Sequence, residues 1–256
     1  MTRISKTFKR LRKAGKKAFI PYIMAGDPGL EDTAEFVSRL EKAGADIIEL
    51  GVPFSDPLAD GPTIQKASER ALKKGATLRK VLSLVESIRK KTRIPLILMT
   101  YYNPVFKLGL EAFVKEAVRV GVDGVIVPDL IPDEAEDFIR ISKEHGLDTI
   151  FLLAPTSTQE RINKVARASS GFIYYVSITG ITGSSILIDS DMKDTLSLIK
   201  KHTGKPVAIG FGISNAEEAE AVASLADGVI VGSAIVKLIS EGANIDNFAE
   251  SIRKAV

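Results

Sequence analysis

The chain contains no cysteine. Disulfides, thiolate nucleophiles and cysteine-held metals are therefore excluded, and the composition suits a reducing compartment, so a cytoplasmic location is expected. Histidine is scarce too: His145 and His202 are the only two. Each falls in the last turn of a helical pattern shortly before a glycine, where a cation complements the helix dipole. No metal site is expected from them, and no histidine base stands ready for a serine nucleophile. No apolar run reaches the ~18 residues of a membrane-spanning helix. Net charge is only +3, too small to argue by itself for nucleic acid or membrane.

What is present begins with a basic amino-terminal stretch: Arg3, Lys6, Lys9, Arg10, Arg12, Lys13, Lys16 and Lys17. No apolar core follows it, so it does not read as a signal peptide. Ile4, Phe8 and Leu11 recur at i, i+4, i+7, which predicts an extra N-terminal amphipathic helix lying on the domain with its basic face in water. Polyanion binding is the minor reading.

The rest is 45% hydrophobic and 26% charged over 256 residues, ordinary for a globular protein. Short β-rich runs are predicted at Phe19–Met24, Asp46–Gly51, Pro95–Tyr101, Gly124–Val127, Thr149–Leu153, Phe172–Val176, Val207–Ile209 and Gly228–Val231. Between them lie amphipathic segments at Glu31–Ala43, Leu78–Lys90, Leu110–Val120, Asp133–His145, Gln159–Ala168, Met192–Lys201, Ala216–Ser224 and Ile245–Ala255. The strand runs are near-continuously apolar, as in a parallel sheet covered by helices. Gly44, Gly121, Gly146 and Gly204 look like helix C-terminal caps. Eight units in 256 residues predict a single (β/α)8 TIM barrel, an α/β fold, spanning 1–256 as one domain. An open doubly wound sheet is the structural alternative.

In a barrel the chemistry sits at the carboxyl ends of the strands. Glu49 lies inside the apolar run Asp46-Ile-Ile-Glu-Leu-Gly51, where a carboxylate is costly unless it is used. A second acid, Asp60, follows in a proline-rich loop. Two acids on one strand–loop unit are a candidate general acid/base pair. Glycine-rich turns after the last strands, Gly210-Phe-Gly212-Ile-Ser214 and Gly232-Ser233-Ala234, suit phosphate, with Gly180-Ile-Thr-Gly183 as a third contributor. The plain alternative is that these glycines only permit tight turns. A Schiff-base lysine is missing from every strand end; Lys205 precedes its strand.

The run Glu49-Leu-Gly-Val-Pro-Phe-Ser-Asp-Pro-Leu-Ala-Asp60-Gly-Pro-Thr-Ile-Gln65 closely resembles the signature of the tryptophan synthase α chain family. Pro21-Tyr-Ile-Met-Ala-Gly-Asp-Pro28, Thr100-Tyr-Tyr-Asn-Pro104 and Val127-Pro-Asp-Leu-Ile-Pro132 resemble its other strand–loop segments, so the resemblance runs the whole chain. It implies cleavage of indole-3-glycerol phosphate to indole and glyceraldehyde 3-phosphate. It implies Asp60 on the indole N–H, Glu49 as the proton carrier and Tyr174 as an active-site tyrosine. The implied phosphate ligands are Gly183, Gly212, Ile213, Gly232 and Ser233, and the implied mobile loop holds Gly180 and Thr182. The apolar wall would be Tyr22, Met99, Val127, Leu152 and Phe211, for each of which barrel core is the plainer role.

The resemblance implies no cofactor in this chain. Pyridoxal phosphate is expected only in a β-chain partner, within an αββα heterotetramer that passes indole between subunits. The partner-facing surface would include Pro53, Phe54, Asp56 and Pro57, with Asn103, Pro104 and Val105, Phe54 and Val105 being expected as exposed apolar loop residues. Departures are few. Tyr22 stands where many members carry phenylalanine, Ser184-Ser185 follows the loop glycine, and Ile178 replaces a basic residue found in some members. The segment around 180–190 is expected to be disordered without ligand. The competing readings are another phosphate-binding barrel enzyme and a non-catalytic subunit that only activates a partner.

Overall fold

The computed structural model describes residues 1–176, 190–210 and 212–256. In chain order, α1 (Arg3–Lys13) precedes β1 (Ala18–Met24), α2 (Leu30–Lys42), β2 (Ile48–Gly51), α3 (Pro62–Lys73), α4 (Leu78–Arg89), β3 (Leu96–Met99), α5 (Tyr102–Leu108), α6 (Leu110–Val120) and β4 (Gly124–Ile126). A 3-10 turn (Pro132–Glu134) leads to α7 (Glu136–His145), β5 (Asp148–Ile150), β6 (Leu152–Leu153), α8 (Gln159–Ala168) and β7 (Ile173–Val176). The chain ends with α9 (Ser190–His202), β8 (Val207–Gly210), α10 (Ala216–Ala223), β9 (Gly228–Val231), α11 (Ser233–Ser240) and α12 (Ile245–Ala255).

The strands form one parallel sheet in the order β5-β4-β3-β2-β1-β9-β8-β7-β6. Its two edge strands are consecutive in the chain, a single extended run interrupted only at Phe151. The Phe151 carbonyl accepts from the Tyr174 N–H at 3.2 Å. The sheet is thereby closed into an eight-strand barrel ringed by helices. A closed parallel sheet has no edge and needs both faces covered, which is why the strands carry nearly unbroken Val, Ile and Leu.

Side chains alternate between two cores, as strand geometry requires. Ile20, Ile47, Ile97, Ile126, Ile150, Phe172, Ala208 and Ile230 pack together inside the barrel. Phe19, Ile48, Leu96, Leu98, Val125, Ile173, Val207 and Val229 pack outward against the helices. Val127, expected on the pocket wall, belongs to the outer core with Leu130. Its neighbour Ile126 faces inward, so strand alternation turns Val127 away from the site.

Helix α1 plugs the amino-terminal end of the barrel. Ile4, Phe8 and Leu11 are buried within the interior cluster, and the Phe8 ring meets Phe172 at 5.6 Å. It thus forms a floor instead of lying along a flank. Burying each such side chain contributes about 1.5–3 kcal/mol. Aspartates at the strand entrances tie the floor together. Asp46 accepts from the Phe19 N–H and meets Arg10 and Arg253, while Asp123 accepts from the Leu96 N–H and meets Arg3 and Arg89. Lys205 donates to the carbonyls of Ala166 and Ser169 on this same side, away from the strand carboxyl ends.

Three helices, α3, α5 and α11, have no counterpart among the predicted amphipathic segments. Pro62 opens α3 at its first position and Pro104 sits in the first turn of α5, where a missing N–H costs nothing. Asn103, Pro104 and Val105 therefore lie on a helix instead of a loop. Gly121 and Gly146 end their helices in left-handed conformation, but Gly204 is not among the positive-φ glycines.

Candidate active site

Glu49 points into the barrel near the carboxyl end of β2, in register with Tyr22 on β1 and Ile97 on β3. It is 1% exposed, and neither carboxylate oxygen has a hydrogen-bond partner. Burial, reinforced by the nearby negative charge of Asp60, raises its pKa from 4.5 to about 8. Glu49 is therefore largely protonated at neutral pH.

Asp60 hangs over this position from the loop after β2. Four local bonds hold that loop. The Ser68 hydroxyl accepts from the Phe54 N–H at 2.9 Å and donates to the Phe54 carbonyl at 3.0 Å. The Asp60 N–H donates to the Pro57 carbonyl at 3.0 Å. The Gln65 amide on α3 donates to the Asp60 carbonyl at 2.8 Å. Partial burial raises the Asp60 carboxyl to about 6, and a hydrogen bond from the Tyr101 hydroxyl opposes that rise. One carboxyl is thus held neutral and the other mostly ionised at pH 7, the separation that assigns acid and base roles.

Tyr101 was missed as a functional residue. Its hydroxyl accepts from the Ala59 N–H at 3.0 Å while serving Asp60, and its ring stacks on Phe54 at 5.2 Å. It joins the end of β3 to the loop after β2. The available signal was an aromatic pair, Tyr101-Tyr102, at a strand's carboxyl end.

Tyr22 and Tyr174 complete the interior. Both are buried, and burial together with the acids Glu49 and Asp60 pushes both phenols well up, so they stay protonated as donors. Each ring fills the space where its neighbouring strand carries a glycine: Tyr22 beside Gly51, Tyr174 beside Gly210. A β-carbon at either glycine would collide with the phenol oxygen. Met99 and Leu152 pack partly buried against the interior cluster. Carboxylates, phenols and an apolar floor converge on one concave mouth.

The expected phosphate turns border the same mouth. Gly212 adopts φ +75°; Ile213 beside it is buried. The turn is braced by Glu218, which accepts from the Ser214 N–H at 2.7 Å, while Asn215 caps α10. Gly232 is the N-cap of α11 with no side-chain cap, and Ser233 opens that helix, leaving its first N–H groups available to an anion. Gly180, Thr182, Gly183 and Phe211, and the order of the loop around 180–190, lie outside the described residues.

A family model for the tryptophan synthase alpha chain matches residues 8–255. The chain belongs to the tryptophan synthase alpha chain family. The alpha chain of Geotalea uraniireducens is 56% identical, over 94% of this chain and 90% of its own length. That of Geobacter sulfurreducens is 48% identical over 100% and 99%. Among solved structures, the alpha subunit from Legionella pneumophila superposes with a TM-score of 0.90 at 39% identity, covering 100% of this chain and 98% of that one. Tryptophan synthase from M. tuberculosis in its aminoacrylate-bound form superposes at 0.91 with 36% identity, covering 100% of both.

The family's signature run therefore falls on the strand and loop that bring Glu49 and Asp60 together. Of the suggested partner-facing residues, Asp56 and Asn103 are exposed and Phe54 is half-buried under Tyr101. Pro53 and Val105 are buried, so the exposure expected of Val105 is not found. Helix α5 turns Val105 into the core and presents the adjacent Phe106, 65% exposed. Among the described residues there is no cluster of metal-binding side chains and no helix long and apolar enough to cross a membrane.

Proposed function

We propose that this chain cleaves indole-3-glycerol phosphate to indole and glyceraldehyde 3-phosphate, with Glu49 carrying the proton and Asp60 bracing the ring. The observation that carries the reading is the Glu49 carboxyl, buried without a partner beside a second acid at a barrel strand's carboxyl end. Such a group is a stability cost that substrate binding relieves.

The steps balance with no added reagent. The ionised Asp60 accepts the indole N–H and stabilises the positive charge that develops on the ring. Neutral Glu49 protonates the indole carbon that bears the glycerol chain. Now a carboxylate, Glu49 takes the proton from the adjacent glycerol hydroxyl. The carbon–carbon bond breaks, its electron pair neutralises the ring iminium, and the hydroxyl carbon leaves as the aldehyde. Glu49 ends protonated, as it began. The protonated ring is the electron sink, so the step itself calls for no cofactor in this chain. Tyr22, Met99, Leu152, Tyr174 and Phe211 wall the indole. Gly212, Ile213, Gly232 and Ser233 hold the phosphate, joined by Gly183 from the segment that also carries Thr182.

Indole is passed to a β-chain partner carrying pyridoxal phosphate. Leu58 is 93% exposed, Phe106 65% and Ile131 38%; all three lie on connections at the carboxyl ends of β2, β3 and β4, around the mouth. This apolar rim is the surface for that partner. A biosynthetic role on a phosphorylated intermediate fits a cytoplasmic location.

The test is indole release from indole-3-glycerol phosphate by the purified chain, alone and with a tryptophan synthase β subunit. Release that disappears in Glu49→Gln and rises with the β subunit supports the reading. Activation of the β subunit without any release would instead mark a non-catalytic subunit.

A further inference from the structure

The outer face of α1, at the end of the barrel opposite the mouth, is a concentration of cations that the lyase reaction does not use. The first 26 residues contain no acid. Arg3 and Arg10 are committed to Asp123 and Asp46, and Lys17 donates to the Ala226 carbonyl. That leaves Lys6, Lys9, Arg12, Lys13 and Lys16 exposed, with no carboxylate partner among the described residues. The helix dipole accounts for bases in the last turn, where Arg10, Arg12 and Lys13 lie, but not for Lys6 and Lys9. Lys6, Lys9, Arg10 and Lys13 fall at i, i+3, i+4, i+7, so like charges stack along one stripe, a cost to the free helix. The stripe borders an open depression of about 490 Å³, and Arg12, Lys16 and Lys17 border a second of about 270 Å³.

We propose that this face binds the phosphate backbone of nucleic acid. Lys6 to Lys13 spans about 10 Å of helix axis, roughly three phosphates of one strand. A membrane surface fits poorly, because α1 has already spent its apolar face, Ile4, Phe8 and Leu11, on the barrel floor. A folded protein partner fits poorly as well, because Met1 is the only large apolar residue exposed there. The patch exposes no aromatic ring for base stacking, so binding is to the backbone and indifferent to sequence.

The test uses the full chain and fluorescence anisotropy of a labelled 20-base-pair DNA duplex and a 20-nucleotide RNA, titrated at several salt concentrations. Five engaged cations give a slope of log K against log salt of about −4 to −5 for the duplex. The triple variant Lys6→Gln/Lys9→Gln/Lys13→Gln should bind at least tenfold more weakly at low salt, with a slope shallower by about 3. A control of equal net charge, Lys66→Gln/Lys73→Gln/Lys74→Gln on α3 and its C-cap, should bind like the parent. Indole release should be unchanged in the α1 variant, so failure of binding is separable from failure of the lyase assignment. Equal weakening in the control would reduce the effect to net charge and overturn the proposal. So would the absence of binding at low salt, or equal affinity for poly-glutamate or for anionic-lipid vesicles.

Discussion

Replacing Glu49 with glutamine should stop indole release and make the protein more stable, and both effects have one cause. Glutamine keeps the volume and the unpaired polar atoms of the neutral carboxyl but cannot ionise. The folded pKa, about 8, lies above the unfolded value of 4.5. A carboxyl of this kind binds its proton more tightly folded than unfolded, so stability is lost as pH rises. The penalty is absent below pH ~4.5, grows between ~4.5 and ~8, and is complete above ~8. At about 1.36 kcal/mol per unit, it reaches about 3 kcal/mol at pH 7 and about 5 kcal/mol above pH 8. For a chain of this size each kcal/mol moves Tm by about 2–4 °C. Urea unfolding of parent and variant at pH 5, 7 and 8.5 measures the difference directly. The stabilisation should be under about 1 kcal/mol at pH 5 and grow to several kcal/mol at pH 8.5. A gain of equal size at all three pH values, or none at pH 8.5, would refute the claim that Glu49 is a buried, uncompensated acid.

Further outcomes follow from the same geometry. The profile of kcat/KM for indole release should be bell-shaped, because Asp60 must be ionised and Glu49 protonated, with limbs near pH 6 and 8; Tyr101→Phe should move the acid limb upward, since the phenol opposes the rise of the Asp60 carboxyl. Gly51→Ala should cost about 1–3 kcal/mol in urea unfolding and depress activity, because the new methyl meets the Tyr22 phenol. Phe8→Ala should cost about 3–5 kcal/mol by emptying the barrel floor, seen as a fall in the urea midpoint. Phe106→Glu should weaken association with a β subunit at least tenfold by calorimetry, and leave indole release by the isolated chain as it was.

The repeating period of apolar runs, the glycines ending α6 and α7, and the length per unit were enough to read a barrel, because those features act locally. Glu49 was also legible, because a carboxylate in an unbroken apolar strand contradicts its own surroundings wherever that strand goes. Asp60 was legible through the motif. Less visible were α3 and α5, since Pro62 and Pro104 read as breaks unless one knows that they occupy first turns. Amphipathicity showed that one face of α1 is buried, but not that it closes the barrel floor. Val127 was misplaced because a continuously apolar run does not show which of its alternating residues face inward. The contact between Tyr101 and Asp60 joins residues 41 positions apart. It exists only because β2 and β3 run side by side and deliver their following segments to the same rim. The order of residues thus determined the elements and the anomalous acid. Closure of the sheet alone decided which side chains meet that acid, and hence why one carboxyl holds its proton while the other gives it up.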